Sequence, residues 1–162
     1  MTLWIFVTFA VGFVGAFAIL VLDLLFRSRT SWRAPISGVV ALLTFAGITY
    51  SNLRQAVLLF LLGEPIVREA SPSLLATSFI ITELGVYISS IALLLSILIA
   101  LYSMAYFSKK SNAALFQSLI LLLYLGIYAV TIAGDLLTFF IGWEAMSVAA
   151  YGLVAFNKRS WE

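Results

Sequence analysis

Few residue types in this sequence can do chemistry. Its 162 residues include no histidine and no cysteine, which excludes thiolate metal sites, iron–sulfur ligation, disulfides, His-held haem and every His-based triad. Carboxylates remain. Glu144 is the single charged residue in the apolar run Leu136 to Phe156, about 13 Å along a helix axis from Asp135. Burial at that depth disfavours the charged form and raises a carboxyl pKa, while a nearby cation lowers it again. A group held between those pulls can gain and lose a proton near neutrality, as a proton relay must. The alternative is an acid that stays protonated and donates a hydrogen bond between helices.

Ser147 at i+3 and Tyr151 at i+7 share the face of Glu144 and could hydrogen-bond it or order water. A neighbouring face carries Ala145, Ala149 and Gly152, a small-residue seam suited to close helix packing. Asp135 follows Gly134 at a tight turn, where Asp is a favourable helix N-cap; a role at a proton exit is its functional alternative. Asp23 and Arg27 form an i,i+4 pair that helps Arg27 reach water. Glu83 starts a helix, and Tyr102 and Tyr106 end it where aromatic residues anchor in headgroups. Tyr124 and Tyr128 stand four apart and either line a polar path or pack between helices. The spans as drawn contain no Lys or Arg, so any cationic partner of Glu144 must come from elsewhere.

The elements that carry these residues follow from composition. Hydrophobic residues make up 64% of the chain and charged ones 10%, with a mean hydropathy of +1.14, far from soluble usage. Five apolar spans result: 3–26, 34–53, 79–107, 113–133 and 136–156. Each is long enough to cross a hydrocarbon core of about 30 Å. Bilayer interiors offer the backbone no partners, so continuous helices are expected, and β-barrel alternation is absent. The fold class is therefore an all-α membrane protein, one transmembrane domain over 1–162, with no room for a soluble catalytic domain. The N-terminal stretch lacks a charged leader region and a small-residue cleavage site, and reads as a retained helix.

The connections set orientation. Arg27, Arg29 and Arg33, then Lys109 and Lys110, then Lys158 and Arg159 fall on one side, whereas Arg54 and Arg68 on the other are balanced by Glu64 and Glu69. The positive-inside rule places the N-terminus outside and the C-terminus inside. Basic residues arranged as topology signals do not indicate nucleic acid, despite a pI near 9.0. The connection from Arg54 to Ser78 contains an apolar piece, Ala56 to Leu62, that is too short to span and is expected at the outer interface.

The run Gly-Asp-Leu-Leu-Thr-Phe-Phe-Ile-Gly-Trp-Glu-Ala-Met-Ser-Val-Ala-Ala-Tyr-Gly-Leu-Val-Ala-Phe, positions 134 to 156, resembles the helix-five signature of the antiporter-like subunits of respiratory complex I. That family includes N-, M- and L-type subunits, relatives in membrane-bound hydrogenases, and subunits of multi-subunit sodium/proton antiporters. The match is strongest from Trp143 to Phe156, with support from Tyr102 to Tyr106, and its wording favours the N-type. The resemblance implies that Glu144 is a proton-channel residue paired with a lysine on a later, broken helix. It implies a subunit of roughly fourteen helices with inverted repeats, of which this chain covers the N-terminal third and ends about where helix six begins. A split subunit or a fragment is expected on that basis.

The expected function is then a proton-translocating membrane subunit, or the N-terminal piece of one, of a complex I-like NADH or reduced-cofactor:quinone oxidoreductase. The chain itself is expected to hold no cofactor, with redox centres in partner subunits and an intramembrane Lys from another polypeptide. The setting would be an energy-transducing, prokaryotic cell membrane. A subunit of a sodium/proton antiporter without redox partner, and a non-transporting scaffold, are the alternatives. Orientation is directly testable because the chain has no native thiol: a cysteine at Ser111 should react with a membrane-impermeant maleimide only from the inside, and one at Ser71 only from the outside.

Overall fold

The computed structural model describes residues 3–25, 30–62, 66–69, 78–106 and 113–158. Within them lie five helices: α1 (Leu3–Leu25), α2 (Thr30–Leu62), α3 (Glu83–Tyr106), α4 (Ala113–Thr131) and α5 (Leu136–Lys158). All five are long and apolar enough to cross a membrane. The chain has the architecture of an all-α membrane protein. Two short strands, β1 (Ile66–Glu69) and β2 (Ser78–Ile81), form an antiparallel pair between α2 and α3, with Ile66 opposite Ile81 and Glu69 opposite Ser78.

Consecutive helices run antiparallel, as the contacts show. Thr8 meets Ser51 across α1 and α2, Asn52 meets Ser89 across α2 and α3, and Ser103 meets Gln117 across α3 and α4. Helices α1 to α4 close a ring in that order, with α2 and α4 also touching across it, while α5 packs chiefly on α4. Helix α4 is the hub: 56% of its apolar window is buried inside the bundle, against 17% for α5. The helix ends adjoining the basic clusters of residues 27–33, 109–110 and 158–159 therefore gather at one end. The strand pair lies at the other. Arg27, Arg29, Phe107, Lys109, Lys110 and Arg159 fall outside the described residues, so the proposed Asp23–Arg27 pair does as well.

Helix α2 begins at Thr30 and not Ala34 and α5 runs on to Lys158 and not Phe156; three further boundaries differ from the sequence reading for reasons of packing. Helix α2 does not stop at Leu53 but runs to Leu62, so Ala56 to Leu62 is its last two turns and not a separate interfacial piece. The polar run Ser51, Asn52, Arg54 and Gln55 has the composition of a connection, yet Arg and Gln are good helix formers and each of these side chains is accommodated. Ser51 hydrogen-bonds Thr8, Asn52 hydrogen-bonds Ser89, Gln55 hydrogen-bonds Tyr128, and the Arg54 guanidinium lies 5.4 Å from the Trp4 ring centroid. Arg54 thus belongs to a spanning helix, contrary to the expectation that the spans hold no cation. At 33 residues, α2 extends about 50 Å, well beyond a hydrocarbon core of about 30 Å.

The second and third differences share a cause. Phe79 to Ile81 is strand and not helix; Thr82 caps α3 instead, its Oγ1 accepting from the Gly85 amide and its carbonyl from Val86. Helix α4 ends at Thr131 and not Ala133, because the turn into α5 pairs with β2: the Ile80 amide donates to the Ile132 carbonyl, and the Gly134 amide to the Ser78 carbonyl. A Cβ at Gly134 would fall 2.7 Å from Ser78 Oγ. Only glycine permits that approach.

Helices α4 and α5 are also brought together by glycine. A Cβ at Gly126 would sit 2.7 Å from the Met146 backbone nitrogen, whereas at Gly152 it would meet only the Leu119 side-chain methyls, the nearest at 2.9 Å. Backbone cannot yield as a leucine tip can. Gly126→Ala should therefore lower the thermal midpoint in detergent, since overpacking of about 1–3 kcal/mol exceeds the roughly 1 kcal/mol that alanine gains in helix propensity. Gly152→Ala should leave it unchanged or raise it.

Candidate functional site

Helix α5 presents two faces. Thr138, Gly142 and Ala149 are buried toward α4, with Ala145 and Gly152 partly so, and the small-residue seam read from the sequence is part of this contact. The opposite face holds Phe140, Trp143, Glu144, Ser147, Val148 and Tyr151, all exposed. Glu144 is the ninth residue of the 20-residue window Leu136–Ala155, close to its midpoint. It lines a groove of about 690 Å³ with Leu136, Leu137, Phe139, Phe140 and Trp143. The Phe139 and Trp143 rings stack along it, 6.0 Å apart.

The structure thus brings Glu144, Ser147 and Tyr151 onto one face, but that face points away from the other four helices. Among the described residues no hydrogen bond or ion pair reaches the Glu144 carboxylate. Ser147 donates to the Trp143 carbonyl at 2.8 Å, which leaves its oxygen free only as an acceptor. Tyr151 is 76% exposed. The three side chains form a polar strip in an aromatic surface.

Asp135 is the N-cap of α5. Its carbonyl accepts from Phe139, Oδ1 accepts from the Thr138 amide at 2.8 Å and Oδ2 from the Thr138 hydroxyl at 2.6 Å. The Ser78 amide and hydroxyl also donate to Oδ2. One carboxylate therefore starts α5 and ties it to β2. Hydrogen bonds from the Thr138 hydroxyl first, and from the Ser78 amide next, hold its pKa well below the ordinary carboxylate value. It stays a fixed negative charge across the neutral range.

A second set of polar residues lies inside the bundle, where sequence reading found only part of it. Tyr124 and Tyr128 are fully buried and stacked, with ring planes at 19°. Packing and polarity coexist here, because the Tyr128 hydroxyl lies 2.6 Å from Gln55 Nε2 and 2.9 Å from its Oε1. Thr8 and Ser51 hydroxyls lie 2.7 Å apart beside it, and Ser51 also donates to the Trp4 carbonyl. Gln117 lies in the apolar run of α4, whereas Asn52 and Gln55 belong to the polar run near the end of α2, and neither setting by itself marks an internal polar cluster. On α3 the signal was periodic: Ser89, Ser96 and Ser103 recur every seven residues and all face inward, as small polar residues do between packed membrane helices.

The Asp135 cap has a measurable signature. Asp135→Ala should cost about 0.5–2 kcal/mol of stability. A carboxylate with a depressed folded-state pKa stabilises fully above its unfolded value of about 3.9 and loses that contribution as pH falls toward the lower folded-state value. Acid titration of thermal stability should therefore fall less steeply below about pH 4 in Asp135→Asn than in the unsubstituted chain. Comparison of the sequence with protein-family models and with curated proteins found no match.

Proposed function

We propose that the chain is a proton-translocating membrane subunit, or the N-terminal part of one, of a complex I-like oxidoreductase, with Glu144 as its intramembrane relay. The observation that carries this reading is the position of that carboxylate: mid-span, on the outward face of a helix that packs on α4 and little else. An acid facing hydrocarbon is costly, with charged residues at a helix centre paying about 2.5–3.5 kcal/mol on insertion scales. Intramembrane acids are accordingly found facing a bundle interior or hydrated cavity, not lipid. The outward face of α5 is then an internal face of a larger assembly.

In that assembly a membrane polypeptide covers the groove and supplies the base. A lysine opposite Glu144 favours the carboxylate, and its withdrawal or neutralisation returns the acid to a desolvated surface that favours the protonated form. Shuttling between those states takes up and releases one proton. Ser147, through its acceptor oxygen, and Tyr151 are placed to hold water on the same strip. Redox centres reside in partner subunits, and the membrane is an energy-transducing one of a prokaryotic cell.

Glu144→Gln preserves shape and one acceptor but removes the titration. In the assembled complex it should reduce proton pumping at least tenfold while subunit composition and electron input remain intact. Pumping at the unsubstituted rate by that variant contradicts the relay assignment. Retained sodium-dependent proton exchange by a preparation lacking any cofactor-bearing subunit would move the chain to the antiporter class.

A further inference from the structure

A hydrocarbon core of about 30 Å takes roughly 20 helical residues. Counted from Arg33, where the first basic cluster ends, α2 therefore leaves hydrocarbon near Arg54, one turn past Tyr50. Helix α1 begins at the same level. Trp4, its second residue, accepts through its carbonyl from the Thr8 and Ser51 hydroxyls, at 2.9 and 3.0 Å, and the bond from Ser51 ties this end of α1 to α2. The Trp4 ring touches two residues one turn apart on α2: Tyr50 meets it edge-on with centroids 5.6 Å apart, and the Arg54 guanidinium lies 5.4 Å from its centroid.

An arginine held this way keeps most of its chemistry unused. The guanidinium carries five N–H donors and stays charged, whereas a ring face attracts the charge without accepting those directional bonds. Among the described residues no hydrogen bond or ion pair reaches Arg54, which is exposed. The surface leading away from it toward mid-membrane is apolar, with Leu43, Ala46 and Tyr50 exposed on α2 at helical spacing from Arg54. We propose that Arg54, positioned by Trp4 and Tyr50, binds the phosphodiester of a membrane lipid at the end of the bundle opposite the basic clusters. The planar fork gives two parallel N–H···O bonds to the non-bridging oxygens, and an acyl chain lies along the stripe of Tyr50, Ala46 and Leu43. Tryptophan and tyrosine suit this depth, where one edge meets headgroups and the other hydrocarbon. A free phosphate ion offers the same oxygens but leaves the stripe uncovered. The site is separate from Glu144, because α5 packs chiefly on α4.

Native mass spectrometry of the full chain, released from detergent micelles containing phosphatidylglycerol, tests the assignment. The unsubstituted chain should retain bound lipid, and Arg54→Gln should lower that retention several-fold. Arg54→Lys, which keeps the charge but not the fork, should retain more than Arg54→Gln and less than the unsubstituted chain. Unfolding midpoints in lipid-free detergent should be close for all three, since Arg54 has no polar partner in the protein to lose; the difference is then one of ligand and not of fold. Undiminished retention by Arg54→Gln overturns the proposal. Inorganic phosphate at millimolar concentration should leave the lipid bound, and displacement by it would assign the site to a soluble anion and overturn the lipid assignment.

Discussion

A solvent that accepts no hydrogen bonds governs this molecule. Hydrocarbon outside the bundle leaves each polar side chain two options, an internal partner or a high cost, and the interior is built accordingly. Thr8, Ser51, Asn52, Gln55, Ser89, Ser103 and Gln117 are all buried. Large apolar side chains such as Phe13, Phe17, Leu94 and Val154 cover the outside. The arrangement inverts that of a water-soluble helical bundle, in which polar groups face out. Glu144 departs from it. A carboxylate at mid-depth on the outer surface, beside the exposed Ser147 and Tyr151, conflicts with the rule that the buried polar residues obey, and the covering polypeptide proposed above would resolve the conflict.

Helix α4 transmits that constraint through the fold. It contacts every other helix, pairs polar groups with α2 and α3, and receives α5 through glycines that let backbones touch. Helix α5 in turn is attached on one side by Gly126 and Gly142 and pinned at its start by Asp135 to Ser78 and Thr138. A helix so fixed in register but open on its far side holds Glu144 at a defined depth and azimuth. Positioning comes from this chain; in the proposed assembly the base would come from outside it.

Five spans were legible in the sequence because apolar length is the dominant signal in a bilayer, and the position of Asp135 as a cap was legible from the Gly134-Asp135 pair. The extent of α2 was not. A run of Ser, Asn, Arg and Gln reads as an exit from the membrane unless the partners of those side chains are known, and Thr8, Ser89, Tyr128 and Trp4 lie 37 to 73 residues away from Asn52, Ser51 and Gln55 or on another helix. The end of α4 was hidden for a related reason: Ile132 and Gly134 leave the helix to pair with β2, a choice made by tertiary contact over local propensity. The face of Glu144 was readable from spacing, with Ser147 and Tyr151 one and two turns on. Which way that face points was not, because α5 carries small residues on the side that packs and aromatic ones on the side that does not.

Infrared difference spectroscopy on the assembled complex during turnover reads the protonation of Glu144 directly. If Glu144 is the relay, a carboxyl C=O band appears and disappears with the catalytic cycle, shifts in deuterated water, and is missing when residue 144 is glutamine. A carboxyl region that stays silent through turnover while protons are still pumped would contradict it.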